Sequence, residues 1–410
     1  MCYPYGMPRF EPFAGLRYDT DVTPLAEVIA PPYDIVSPAE RAVLAGRSAY
    51  NAIHVELPLP DDALKLDRYH RAACLIGEWE RAGVLRRDDV AAFYVYKMTD
   101  AAGGEVRSTT GVIGALGLDE IGGGEVLPHE RTTPKPKGDR LELLRTCQVN
   151  LSPIWGLSLA GGLAEACSEA AAHAGPSIAA NDDEGVLHEL WPVTNPGAIE
   201  QIAALVASTP VVIADGHHRY ETATFYRNER RQANGESPGA YDLVMALIVE
   251  LSEEELVVHG IHRLVAGLPR ELDILGALAQ HFEFVDAPRD VAALPAAMLE
   301  QGALGLITPD GHYLLVPRPS VEAASEADLD ASRLDVALAT LPAHELTYQH
   351  GVDHAAEAVA GGRAQIAVLL RPATVEQIAD TAHSGRRMPP KTTFFHPKPR
   401  TGMVFRPVPG

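Results

Sequence analysis

The sequence predicts an α+β protein, in which strands and helices are mixed, folded as two domains. Its 410 residues exceed one ordinary domain of roughly 100–200 residues. Strand-like runs at 92–98, 110–118 and 243–249 alternate with helical patterns, but without the regular strand–helix–strand repeat of a parallel sheet. The polar stretch SEEE then interrupts the pattern, so we predict domains at 1–258 and 259–410.

Local patterns place the main elements. Over 62–83 apolar residues recur every three or four positions, and Gly83 stands where helices commonly end. A second helix is predicted over 217–232, directly after the β-branched run 211–214. The C-terminal part alternates in the same way, with predicted strands at 305–307, 313–316 and 364–370 and predicted helices at 329–340 and after Thr374.

The composition argues against several classes of protein. A net charge of −21 and a pI of about 5.1 give a surface that repels nucleic-acid and anionic-lipid phosphates. The cysteines are scattered without a Cys-x-x-Cys pair, and the first residues lack the apolar core of a signal peptide. We therefore expect a cytoplasmic protein without nucleic-acid or membrane partners, and we leave its oligomeric state open.

The strongest chemical signal is the segment VVIADGHHRYETATFY at 211–226. It predicts a strand, a tight turn at Gly216, and a helix whose first amides and positive dipole end point at a ligand. The guanidinium of Arg219 can donate two parallel hydrogen bonds to a phosphate group. His217 and His218 can donate hydrogen bonds or transfer protons. These features fit a cradle for a nucleotide polyphosphate. Composition alone favours a plain Asp-Gly turn with surface histidines, and periodicity does not decide between the two.

This string resembles the signature of the ParB/sulfiredoxin-like superfamily. Archaeal free serine kinases of that superfamily carry Asp-Gly-His-His-Arg, which this chain reproduces at 215–219. Sulfiredoxins have their catalytic cysteine where this chain has His217, so the resemblance does not extend to sulfiredoxin chemistry. It implies that the residues from Asp215 to Arg219 take part in catalysis on a nucleotide.

Along nearly its whole length the chain resembles the family of domains of unknown function numbered 1015. The matching blocks are, in order, APPYD at 30–34, HERT at 129–132, NLSPIWG at 150–156, ADGHHRYETA at 214–223 and MPPKTTFFHPKPRTG at 388–402. The block HGIHRL departs from the pattern at His259 and Gly260, where a Pro-Thr-like pair is expected. The resemblance implies a ParB/sulfiredoxin-like catalytic core with insertions and a C-terminal α/β domain, but the family label names no activity.

The block LPHERT supplies a candidate base. Glu130 resembles the catalytic glutamate of the free serine kinases, and a hydroxyl nucleophile needs such a base within hydrogen-bond reach. Arg131 and Lys135 belong to a local basic run in an acidic protein, which favours contact with nucleotide phosphates. An exposed surface loop explains the segment equally well.

The candidate substrate-binding residues are Tyr33, Asp34, His129 and Tyr220. Tyr33 and Asp34 follow a double proline that fixes an extended, rigid entry. Asp34 can bind a substrate amino group or serve as an alternative base. A structural turn capped by the aspartate remains an equal alternative.

The C-terminal tail is a second basic segment in this acidic chain. After Asp380 no acidic residue follows, whereas the basic residues are Arg386, Arg387, Lys391, Lys398, Arg400 and Arg406. Lys391, Thr392 and Lys398 are the candidate contacts to nucleotide phosphates, and we predict that the tail returns to the turn at 215–219. The alternative is a solvated basic tail.

Together these residues predict a small-molecule kinase. It transfers a phosphoryl group from ATP or ADP, with Mg²⁺, to the hydroxyl of a free amino acid, and L-serine is the first candidate acceptor. In this hypothesis Asp215 holds the metal ion, Glu130 accepts the hydroxyl proton, and Arg219 with the two histidines stabilises the transferred group. A ParB-like nucleotide-gated switch, a phosphate-ester hydrolase that uses the histidine pair, and a non-catalytic scaffold remain as alternatives.

Overall fold

The computed structural model describes residues 7–101, 106–119, 124–128, 138–175, 177–384 and 387–409. They form two compact units. The first unit contains the described residues up to Leu256 together with the tail from Pro397, and the second contains Val257–His396. The boundary therefore falls two residues before the predicted one, and the tail groups with the first unit, whereas the predicted second domain runs to residue 410. The predicted mixed α+β class is confirmed.

A large sheet organises the first unit. Its strands, with the short pairs beside it, are β1 (Phe10–Glu11), β2 (Leu16–Tyr18), β3 (Leu85–Arg87), β4 (Phe93–Asp100), β5 (Arg107–Gly117), β6 (Val126–Pro128), β7 (Val149–Asn150), β8 (Ile154–Ser158), β9 (Ile178–Asn181), β10 (Leu187–Val193), β11 (Val211–Asp215) and β12 (Leu243–Glu250). The order across the sheet is β6-β11-β8-β12-β5-β4-β10-β9, with β1 paired to β5. β12 is a central strand, with β8 parallel on one edge and β5 antiparallel on the other, and its apolar run is buried.

The helices of the first unit pack around this sheet and beside it. They are α1 (Leu25–Val28), α2 (Pro38–Arg47), α3 (Ile53–Glu56), α4 (Arg68–Arg81), α5 (Gly138–Cys147), α6 (Leu163–His173), α7 (Pro196–Ala207) and α8 (His217–Ala233). The predicted helix 62–83 begins later, at Arg68, because the Asp67 carboxylate accepts hydrogen bonds from the amides of Tyr69 and His70. Throughout the described ranges, no helix has the length and apolar character that a membrane span requires.

The second unit is built on an antiparallel sheet. Its strands are β13 (Val257–Gly260), β14 (His262–Ala266), β15 (Phe282–Asp286), β16 (Leu304–Thr308), β17 (Gly311–Pro317), β18 (Glu345–Gln349), β19 (Ile366–Leu369) and β20 (Thr393–His396), and its helices are α9 (Ile274–Leu278), α10 (Leu294–Gln301), α11 (Pro319–Ala324), α12 (Asp330–Leu338), α13 (Val352–Ala360) and α14 (Val375–His383). The sheet order is β15-β17-β16-β19-β14-β18, and β13 pairs with β20 separately. Alternate residues of β19 belong to two different apolar clusters, because successive side chains of a strand point to opposite faces of the sheet. One cluster contains Ile366 and Val368, and the other contains Ala367 and Leu369. The strand is therefore buried throughout.

A buried polar network fixes the tail in the first unit. The Arg400 guanidinium pairs with Asp182, and both side chains are 5% exposed. His188 Nε2 donates to Asp182 at 2.8 Å, while Tyr96 donates from its hydroxyl to His188 Nδ1 at 2.7 Å. The Arg400 amide in turn donates to the Tyr96 hydroxyl at 3.1 Å. Burial raises the pKa of Asp182, but the His188 hydrogen bond and the Arg400 charge outweigh it and hold that pKa well below its usual range.

The chain ends on a further strand, β21 (Arg406–Pro407), which pairs with β7. The Arg406 side chain is buried and donates to the backbone carbonyls of Leu243 and Ala240. Two independent anchors, at Arg400 and Arg406, therefore hold the tail against the first unit.

We predict that Arg400→Met lowers the free energy of unfolding by about 3 kcal/mol, because it leaves the Asp182 carboxylate buried without its charged partner. Urea denaturation measures the loss. Arg86→Met is the matched control: Arg86 also pairs with an aspartate, Asp19, but its side chain is 70% exposed, so its loss should cost less than about 1 kcal/mol. Equal effects of the two substitutions would contradict the structural role of the Arg400 network.

Candidate functional site

The turn between β11 and α8 has the form that the sequence predicts. β11 ends at Asp215, Gly216 adopts φ 86° and ψ 25°, and α8 begins at His217. Only glycine takes this left-handed conformation without strain. A Cβ at position 216 would also lie 3.0 Å from Nε of Arg219. The turn therefore needs glycine for its backbone angles and for the close approach of the arginine.

A partly buried ion cluster lies at this turn. Asp215 Oδ2 contacts Nη2 of Arg219 at 3.0 Å, and its Oδ1 lies 3.4 Å from Nζ of Lys398. Arg219 Nη1 also donates to the backbone carbonyl of Pro153. The Lys398 and Arg219 side chains are only 9% and 11% exposed. Burial by itself raises the pKa of Asp215, but the charges of Lys398, Arg219 and His217 overcome it and hold that pKa well below its usual range.

The tail joins two of the predicted site segments. Lys398 lies at Asp215, as predicted for a tail that returns to this turn. Three residues later Thr401 exchanges backbone hydrogen bonds with Ala30, at 2.8 and 3.0 Å. Because Ala30 begins the APPYD block, one short stretch of tail holds this block and the Asp-Gly turn in the same unit.

Tyr33 lies among charged side chains. It begins a short 3₁₀ helix, Tyr33–Ile35, and its ring lies 4.5 Å from the guanidinium of Arg140 and 6.0 Å from that of Arg219. Burial raises the pKa of its hydroxyl. Asp34 is exposed, and its charge helps to raise the pKa of Arg219 against the opposing effect of burial. Both predicted residues of the APPYD block are therefore close to the arginine of the turn.

Glu56, at the end of α3, lies at the same place, although no sequence motif selects it. Glu56 is 2% exposed, and Ser152 donates to its Oε1 at 3.0 Å. Arg140 donates to its backbone carbonyl at 2.7 Å. A cavity of about 60 Å³ is lined by both of these partners, by Glu56 itself, and by Tyr33 and Arg219. Local patterns miss Glu56 because its position depends on contacts with residues far away in the sequence.

The histidines and Tyr220 occupy the first turn of α8. His218 Nδ1 lies 3.9 Å from Glu221 Oε2, and its side chain is 33% exposed. His217 is close enough for its charge to lower the pKa of Asp215. The hydroxyl of Tyr220 accepts from the Asp119 amide at 2.9 Å, its ring packs on the core, and burial raises its pKa to about 12. Tyr220 thus has an observed packing role, and its role in substrate binding stays a prediction.

The remaining predicted residues lie outside the described part of the first unit. His129, Glu130, Arg131 and Lys135 lie outside the described residues, so their roles stay predictions. Two more, Lys391 and Thr392, belong to the second unit. Lys391 has a left-handed backbone at φ 58°, and Thr392 is buried and donates from its hydroxyl to the carbonyl of Pro389 at 2.7 Å.

The two carboxylate oxygens of Asp215 both contact cationic side chains. Among the described residues no group of three or more His, Cys, Asp or Glu side chains could hold a metal ion. Mg²⁺ in kinases is usually held by one or two carboxylates together with substrate phosphates, so the role of Asp215 in metal binding stays a prediction.

Gly216→Ala should lower the free energy of unfolding by about 1 kcal/mol more than Gly83→Ala does. Both glycines have positive φ, at 86° and 73°, but a Cβ at Gly83 meets nothing within 4 Å. Gly83→Ala therefore costs only the backbone strain of about 1–2 kcal/mol, whereas Gly216→Ala also displaces Arg219. Urea denaturation compares the two variants, and equal losses would contradict the close approach at the turn.

Lys398→Met should destabilise the protein strongly at neutral pH and less in acid. A carboxylate with a depressed folded pKa contributes stability above its unfolded pKa of about 3.9, and this stability is lost as the pH falls through the folded pKa. The cost of removing Lys398 should therefore be smaller at about pH 3 than at about pH 7. In an Asp215→Asn background the same substitution should have a pH-independent cost, and a persistent pH dependence there would contradict the assignment to Asp215.

Several solved structures resemble this chain weakly. A free serine kinase in complex with AMP aligns at 15% identity and a TM-score of 0.37, covering 69% of this chain and 88% of its own. A conserved hypothetical protein from Pyrococcus furiosus aligns at 14% identity and 0.35, covering 68% and 90%. C-terminally truncated SbnI from Staphylococcus aureus aligns at 12% and 0.37, covering 71% and 86%. The curated proteins contain no match to the sequence.

A family model matches most of the chain. The model of the family described as "Protein of unknown function (DUF1015)" matches residues 10–337. This range includes the APPYD, HERT, NLSPIWG and ADGHHRYETA blocks and ends before the tail that carries Lys398. The chain belongs to the DUF1015 family.

Proposed function

We propose that this protein is a kinase that transfers a phosphoryl group from ATP or ADP to the hydroxyl of a free amino acid, with L-serine as the first candidate acceptor. The observation that carries this proposal is the partly buried cluster of Lys398, Asp215 and Arg219 at the start of α8. It places Lys398 and Arg219 at the first amides of a helix, and amides at a helix N-terminus together with cationic side chains suit a phosphate group. The Asp-Gly-His-His-Arg string supports the choice of phosphoryl transfer, because it resembles the free serine kinases.

The reaction needs charge stabilisation more than covalent help from the protein. The acceptor oxygen forms a bond to the terminal phosphorus of the nucleotide, and the bond between this phosphorus and the bridging oxygen breaks, so ATP leaves as ADP, or ADP as AMP. We assign the first amides of α8 and Lys398 to the phosphate oxygens, because buried donors are worth more than exposed ones at developing negative charge. Glu130 is the proposed acceptor of the hydroxyl proton, and His217 and His218 are further proposed donors.

The proposal is tested by incubating the full chain with each of ATP, ADP, CTP and GTP, Mg²⁺, and a pool of hydroxyl-bearing amino acids. Mass spectrometry then identifies any phosphorylated acceptor. We expect O-phosphoserine from ATP or ADP, and at least a roughly 100-fold lower rate in Lys398→Met and Glu130→Gln, in keeping with the loss of one stabilising group or of the base. Arg86→Met, an exposed arginine substitution, is the control and should keep the wild-type rate.

Consumption of nucleotide without a phosphorylated acceptor would contradict the kinase proposal and favour a nucleotide switch or a hydrolase. A phosphohistidine on the protein would single out the hydrolase. Nucleotide binding without any turnover, in the presence of every acceptor, would favour a scaffold.

A further inference from the structure

A small cavity in the first unit is lined by two residues that each carry a buried polar atom without a hydrogen-bond partner among the described residues. These atoms are the carboxylate oxygen Oε2 of Glu56 and the guanidinium nitrogen Nε of Arg219. The other polar atoms are engaged, since Glu56 Oε1 accepts from Ser152 and the terminal nitrogens of Arg219 donate to Asp215 and Pro153. A buried polar atom without a partner costs about 1–3 kcal/mol. A bound ligand or buried water at this cavity would give both atoms a partner.

The size of the cavity suits a small ligand. Its volume of about 60 Å³ is enough for about four to six water molecules, at 10–15 Å³ of such space for each. A molecule with about seven heavy atoms is of this size. The aromatic ring of Tyr33 and the carbon chains of Leu143 and Val244 form part of the lining, so the cavity offers apolar surface as well as the two polar atoms.

The charges of the two atoms define the chemical class of the ligand. Oε2 of Glu56 accepts a hydrogen bond and attracts a cation, whereas Nε of Arg219 donates one and attracts an anion. A simple carboxylate would leave the Glu56 oxygen without a partner, and a simple amine would leave the Arg219 nitrogen without one. A small zwitterion satisfies both at once.

We propose that this cavity binds a small free amino acid, whose ammonium group donates to Glu56 Oε2 and whose carboxylate accepts from Arg219 Nε. The inference rests on the proposed function, because it assigns a pocket to the amino acid that this function requires. It goes further by naming Glu56, which no sequence motif marks, as the residue that selects an acceptor with an amino group. It also gives Arg219 a role on the acceptor in addition to its contact with Asp215.

The surroundings of Glu56 support this role. Burial raises the pKa of Glu56, against the opposing charges of Arg140 and Arg219, so the carboxylate gains from a further cation. The hydrogen bond from Arg140 to the Glu56 backbone and that from Ser152 to Oε1 fix the side chain. A fixed carboxylate with one open oxygen is preorganised for an ammonium group.

The first experiment is calorimetric titration of the full wild-type chain with three ligands. L-serine carries both charged groups, 3-hydroxypropanoate lacks the ammonium group, and ethanolamine lacks the carboxylate. We expect L-serine to bind about 10- to 100-fold more tightly than either analogue, which corresponds to the loss of one charge-assisted hydrogen bond. Failure of L-serine and of other small amino acids to bind would overturn the proposal and would leave buried water as the partner of the two atoms.

The second experiment repeats the titrations with Glu56→Gln, which keeps the shape of the side chain and an acceptor for Ser152. We expect L-serine to bind this variant about 10- to 100-fold more weakly, with an affinity close to that of 3-hydroxypropanoate. Glu255→Gln is the matched control. Glu255 is a partly buried glutamate whose pKa is likewise raised by burial, but its carboxylate accepts from the Thr110 amide and the residue does not line this cavity. This control should bind all three ligands like the wild type.

AMP titration and the phosphorylation assay separate this inference from the proposed function. Unchanged AMP binding by Glu56→Gln, with weakened L-serine binding, supports the pocket. Unchanged L-serine binding by Glu56→Gln overturns the pocket, even if the wild type makes phosphoserine. L-serine binding that depends on Glu56 in a protein without phosphotransfer supports the pocket and overturns the kinase.

Discussion

The contact of Asp215 with Lys398 and Arg219 is the constraint on which the rest of the site depends. One partly buried carboxylate contacts a lysine from the C-terminal tail and an arginine from the first turn of α8. Because an isolated buried charge is costly, the three groups fix one another. The same contact therefore attaches the tail to the rest of the first unit. It also orients Arg219 towards Pro153 and places positive charge at the start of a helix.

This cluster also explains how an acidic chain can attract a phosphate group. A chain with a net charge of −21 is a poor general partner for phosphate, but charge acts locally within about 10 Å at moderate ionic strength. At the turn two buried cations face one carboxylate, and the dipole of the seventeen-residue helix α8 adds to their effect. A phosphate group can thus be attracted at one place while the remaining surface repels nucleic acids.

The turn itself could be predicted from the sequence, since its signals are local. A β-branched run, an Asp-Gly pair and a helical pattern each restrict a few neighbouring residues, and β11, Gly216 and α8 follow them closely. The tail contact could also be predicted, because an exclusively basic segment in an acidic chain needs an anionic neighbour. The predicted start of α4 is too early, as the apolar pattern does not show that the Asp67 carboxylate caps the helix at Arg68.

Glu56 could not be predicted in this way. It follows Ile53, His54 and Val55 in a four-residue helix, and nothing in that pattern distinguishes it from a surface glutamate. Its burial and its open oxygen result from Ser152 and Arg140, which are about ninety residues away along the chain. Sites of this kind depend on tertiary contacts, whereas motifs mark only the residues that carry a local signature.

A crystal structure of the full chain with ADP and L-serine would test the central claim most directly. We predict phosphate oxygens within hydrogen-bond distance of the His217 and His218 amides and of Lys398 Nζ. Nucleotide bound away from the turn between β11 and α8, with the Lys398–Asp215–Arg219 cluster unchanged and without a phosphate contact, would contradict it.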